Sequence, residues 1–66
     1  MQIPEVGQRV RMVGLMPNDP SPIEVGDEGT VTHVNQLPTF LQIGVAWDSG
    51  RNLMVLGTDP FDVLPT

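Results

Sequence analysis

The longest stretch of this chain free of both glycine and proline is eight residues, from 30 to 37. An ordinary helix needs about 11–12 residues, and an interior proline removes a backbone hydrogen bond and clashes with the preceding turn. The seven glycines and seven prolines, spread along the whole chain, therefore predict a fold without a helix. The eight-residue stretch opens Thr30-Val31-Thr32-His33-Val34, a β-branched run suited to a pleated strand.

Period-two patterning supplies the strands. Leu41, Ile43, Val45 and Trp47 alternate with Gln42, Gly44 and Ala46, which reads as one strand with one buried face. Asp48-Ser49-Gly50 follows, a three-residue hairpin loop with glycine in the left-handed position. The chain is then expected to return through Arg51-Asn52-Leu53-Met54-Val55, with Leu53 and Val55 facing the same core. A first strand is expected over residues 8–15, with Val10 and Met12 inward and Arg9 and Arg11 outward. Residues 16–22 carry Pro17, Pro20 and Pro22 with Asn18 and Asp19 between them, which predicts a stiff loop.

Residues 25–29, Val-Gly-Asp-Glu-Gly, are a turn leading into a strand over 30–34. Val31 is a core candidate. Val34 has the opposite parity and turns inward only if a bulge intervenes. Residues 35–40 read as a second loop. Asp59-Pro60-Phe61 predicts one tight turn of 3₁₀ type, and residues 62–64 a short closing strand. Five short strands in this order predict an all-β domain over residues 1–66, closed into a small barrel that removes most free edges.

A chain of 66 residues has room for one thin core. At this size folding buries roughly 60% of the unfolded surface. Without cysteine there is neither a disulfide nor a thiolate zinc site, and without lysine no Schiff base. Eight acidic residues against three arginines give a formal charge of −5. Nucleic-acid affinity rests on cations set against phosphates, and anionic membranes attract basic segments; both partners are disfavoured. The segment MQIPEVGQRV has no basic n-region and no apolar h-region, and no apolar run has transmembrane length, so a cytoplasmic location is expected.

Gly7-x-x-Val10, Ile23-x-x-Gly26-Asp27-Glu28-Gly29-Thr30-Val31, Ile43-Gly44-Val45-x-Trp47-Asp48-x-Gly50 and Phe61-x-Val63-Leu64 stand in this order along nearly the whole chain. Together they resemble a family of short bacterial and phage proteins catalogued as a domain of unknown function, itself similar to small SH3-like barrels. The resemblance implies an SH3-like barrel and carries no catalytic or ligand residue. Proline-peptide-binding SH3 domains use a tyrosine-rich surface and an exposed tryptophan. This chain has no tyrosine, and its one tryptophan, Trp47, has the parity of the core. Nucleic-acid-binding barrels of this type are basic, whereas this chain is acidic.

Candidate site residues divide by chemistry. Trp47 is either an aromatic contact or part of the core. His33, the single histidine, has no partner at catalytic or metal-ligand spacing. Glu24, Asp27 and Glu28 form an acidic turn lacking the alternating oxygen ligands of a calcium loop. Asp59 suits a local turn cap. Arg9, Arg11 and Arg51, if brought together, would bind a carboxylate or phosphate bidentately. Met12, Leu15, Met16, Phe40, Met54 and Leu56 exceed what so small a core can hold, so some of them must form surface.

The expected function is a non-catalytic interaction module: an accessory subunit, a phage-encoded binder of a host protein, or a self-associating chain. Its expected contact residues are Met16, Phe40, Trp47, Met54, Leu56, Arg9, Arg11 and Arg51. The alternatives are a nucleic-acid-binding barrel, with Trp47 or Phe40 stacking on a base, and a small-molecule- or nucleotide-sequestering protein with an arginine-lined interface. No catalytic group, metal or cofactor is expected.

Overall fold

The computed structural model describes residues 3–16 and 19–65. Five strands follow in chain order: β1 (Arg9–Met12), β2 (Glu28–Gln36), β3 (Leu41–Trp47), β4 (Val55–Leu56) and β5 (Phe61–Val63). They form one antiparallel sheet in the order β4-β3-β2-β1-β5, and no helix occurs among the described residues. The expected all-β, five-stranded, helix-free architecture is therefore present. Closure into a barrel is not. No ladder joins the two outer strands, β4 of two residues and β5 of three, among the described residues.

The ladder rests on two turns that share the sequence Glu-Val-Gly. Glu5-Val6-Gly7-Gln8 and Glu24-Val25-Gly26-Asp27 lie 19 residues apart. In each, the fourth N–H donates to the first carbonyl at 3.1 Å, and the glycine has φ of 95° or 97°. A third-position glycine at positive φ marks a type II turn, where a side chain would be strained. Each turn also bonds to the fourth residue of the other's strand. Gly7 donates to the Val31 carbonyl and Val31 to that of Gln8; Gly26 donates to the Met12 carbonyl and Met12 to that of Asp27. The Val10↔Gly29 pair sits at the centre of this arrangement, and a shift of 19 residues carries each bond onto its counterpart.

The long hairpin follows its sequence signals. Gly50 N–H donates to the Trp47 carbonyl, Gly50 has φ of 97°, and Trp47 N–H donates to the Arg51 carbonyl. This is the three-residue loop with a left-handed glycine. On β2 a register shift falls between Val31 and His33. The bulge reverses parity, so Val34 packs against the core while His33 is exposed. One face of the sheet carries Val10, Met12, Val31, Leu41, Ile43, Val45, Trp47, Val55 and Phe61, joined by Met16 and Ile23 from the connection between β1 and β2.

Several boundaries differ from expectation, the closing strand among them, which spans Phe61–Val63 and not 62–64. β1 stops at Met12 because the chain turns away at Gly14, packed against Pro60, while Val13 N–H donates to the Pro60 carbonyl. Val13 and Leu15 are consequently exposed. β2 starts at Glu28 and extends to Gln36, which shortens the following loop to residues 37–40. The return strand pairs with β3 only at Val55 and Leu56. The Asp59–Phe61 turn is tight but is not a 3₁₀ helix: Phe61 N–H donates to the Asp59 carbonyl two residues back, and the single three-residue bond, from Asp59 N–H to the Leu56 carbonyl, belongs to the preceding turn. Pro17 and Asn18 of the expected proline loop lie outside the described residues.

Candidate functional site

The core claims two residues expected at a contact surface. Trp47 is 3% exposed, and its indole N–H donates to the Leu53 carbonyl at 2.9 Å. Met16 is 8% exposed, and its sulfur accepts the Ile23 N–H at 3.4 Å. Strand parity inside the β3 hairpin explains Trp47. Met16 is drawn in by the fold of the β1–β2 connection, which gives it Ile23 as a neighbour. Neither side chain is available to a partner, and Trp47 is not placed to stack on a base.

The three arginines do not converge. Arg9 grips the β3 hairpin turn: Nη1 donates to Asp48 Oδ1 at 2.8 Å and to Thr30 Oγ1 at 3.1 Å, and Nη2 donates to Asp48 Oδ2. Arg9 Nη2 also lies 3.5 Å from Glu28 Oε1, and Arg11 Nη2 lies 3.2 Å from Glu28 Oε2. An alternating row, Asp48–Arg9–Glu28–Arg11, thus runs from the turn after β3 onto β1 and β2. Hydrogen bonding from Arg9 is the main force holding the Asp48 carboxyl below the usual carboxylate range; the arginine charge adds to it, and desolvation opposes it. Arg51 stands elsewhere, donating to the carbonyls of Ser21 and Pro22 and to Ser21 Oγ. It clasps the proline loop and lines an open cleft of about 540 Å³ with Pro20, Ser21, Pro22, Glu24, Asp27 and Ser49. Within one chain, Arg51 shares no site with Arg9 and Arg11.

Glu28, bound to two arginines, is removed from the acidic turn, and no group of three His, Asp or Glu side chains gathers as a metal-holding set among the described residues. His33 lies flat on the outer face of β3. A Cβ on Gly44 would sit 2.0 Å from the imidazole Cε1 and 2.3 Å from Nδ1. The same Nδ1 is 3.1 Å from Thr32 Oγ1. Gly44 and the bulge at Thr32 together create this seat.

Phe40, Met54 and Leu56 are exposed, at 42%, 39% and 41%. Leu56 stands opposite Gln42, and Gly57 N–H donates to the Leu41 carbonyl at 2.9 Å. Met54 immediately precedes β4, and Phe40 immediately precedes β3. These three apolar side chains flank the β4 edge, at the opposite end of the sheet from the row of ion pairs. Beside Phe40, residues 36–41 line a smaller cleft of about 210 Å³ at the tip of the β2–β3 hairpin.

The backbone of β4 is capped. Gly57 pairs toward β3, so the N–H and C=O of Leu56 point away from it. Leu56 N–H donates to Asp59 Oδ2 at 2.7 Å, and the Leu56 carbonyl accepts the Asp59 N–H at 2.9 Å. Asp59 is thus the local cap that its sequence context predicts. No sequence signal separates a cap of the turn from a cap of the sheet edge; the pairing register decides it.

Neither curated proteins nor solved structures yield a match to this chain. A family model does match, over residues 2–64, under the description Domain of unknown function (DUF4314). With nearly all of the 66 residues covered, the chain belongs to that family.

Proposed function

We propose that this chain is a non-catalytic protein-binding module whose contact surface lies beside the β4 edge, made by Phe40, Met54 and Leu56. The observation that carries the reading is the exposure of these three large apolar side chains in and next to the paired ends of β3 and β4, beside a β4 backbone already capped by Asp59. Recognition there acts through side chains, for which flexible methionine and an aromatic ring are suited. The partner is an apolar protein surface with a neutral or basic rim, since the chain carries a net charge of −5.

The test compares the wild-type chain with the double variant F40S/L56S as immobilised bait for host-cell proteins, with melting curves for both. The reading expects equal folding and at least one protein held by the wild type and released by the variant. Identical captured sets would refute it. Binding to RNA or single-stranded DNA that weakens steeply with salt would instead favour a nucleic-acid partner.

A further inference from the structure

Residues 52–58, Asn-Leu-Met-Val-Leu-Gly-Thr, contain no charge and no proline, in a chain with net charge −5. Short uncharged segments of high β-propensity without proline are those most prone to pair with copies of themselves. This one contains the two-residue edge strand β4, and edge strands invite pairing. Charged residues flank it on both sides: Arg51, engaged with the proline loop, and Asp59, bent back onto Leu56.

We propose that the Asp59 turn is a plug on a strand-pairing site, and that the occupant it holds off is β4 of a second copy of this chain. Leu56 is the β4 residue whose backbone groups face outward, and Asp59 occupies both of them, its carboxylate taking the N–H and its own N–H meeting the carbonyl. An incoming strand must displace both bonds before it can add to the sheet. With the plug removed, two β4 strands can meet antiparallel about a two-fold axis, each offering the same groups to the other. No like charge lies in the paired segment to resist this. Such a dimer would also cover Met54 and Leu56 of both copies. The proposal is separate from the partner-binding reading, because its variants leave the side chains of Phe40, Met54 and Leu56 intact.

The test measures molar mass by sedimentation equilibrium over rising concentration for the wild type, D59A and D59N. Asparagine keeps an oxygen that can accept the Leu56 N–H, whereas alanine does not. The proposal expects the wild type and D59N to remain at one chain mass and D59A to rise toward two. A D59A chain that stays at one chain mass would overturn it, as would D59N associating as strongly as D59A. Amide hydrogen exchange in the wild type gives a reading independent of variant folding. The Leu56 N–H is expected to exchange more slowly than an unprotected amide of the same local sequence; exchange at the unprotected rate would overturn the proposal.

Discussion

Two glycines carry structure through what they leave out. Gly29 is buried at the β2–β3 crossing, where an added Cβ would lie 2.6 Å from Val45 Cγ1, 2.8 Å from the Ala46 carbonyl oxygen and 3.0 Å from Trp47 Cα. Two of those three atoms are backbone and cannot swing aside, so G29A is predicted to destabilise the chain by about 1–3 kcal/mol, read as a lower urea midpoint. Gly44 meets only the imidazole of His33, which is exposed and free to leave. G44A is therefore predicted to change stability by less than about 1 kcal/mol while shifting the His33 ring resonances in NMR spectra. Neither requirement is legible in the sequence, because both depend on which atom lies across the ladder. Trp47 is half legible. Its parity announces burial, but the Leu53 carbonyl that receives its indole N–H is placed only by the fold of the hairpin.

At the level of elements, legibility follows the strength of local signals. The alternation of residues 41–47 and the glycine of the hairpin loop are read correctly because one buried face and one turn geometry settle them. β1 is overestimated because Val13 and Leu15 continue its apolar pattern, while Gly14 packs on Pro60, a residue 46 positions away. The bulge between Val31 and His33 leaves Val34 undecided in sequence, since either parity satisfies the local pattern. The repeated Glu-Val-Gly turn is present in the letters and escapes notice because only three consecutive residues recur. Its meaning lies in the reciprocal hydrogen bonds.

The Arg9–Asp48 contact is also an element-scale device, tying β1 to the turn between β3 and β4. Because folding holds Asp48 below its ordinary value, the contact stabilises the fold in full above the unfolded aspartate pKa of about 3.9. That contribution fades as pH falls through the lower folded value. D48N is predicted to melt below the wild type at neutral pH, and the gap is predicted to narrow as the pH drops below about 4. Thermal melts of both chains across that range check the sign. A gap that widens on acidification would assign the stabilisation to other groups.

Across the whole molecule, large apolar side chains are exposed in two regions: Phe40, Met54 and Leu56 beside β4, and Ile3, Val6, Val13, Leu15 and Val25 in the segments flanking β1 and preceding β2. The ion-pair row runs from the turn after β3 onto β1 and β2. With Arg9 and Arg11 engaged by carboxylates and Arg51 by backbone carbonyls, little positive charge is left to track a phosphate backbone. The candidate surface was visible in sequence as an apolar surplus. Its membership needed the structure, which moved Met16 and Trp47 into the core and left the other three on one edge. The most direct measurement places a photo-crosslinking amino acid at position 56 in one chain and at position 49 in another, the latter on the exposed hairpin turn. Both chains are then irradiated in cells. A protein adduct formed from position 56 and not from position 49 is the predicted result; adducts from position 49 alone would contradict the assignment of the β4 edge as the contact surface.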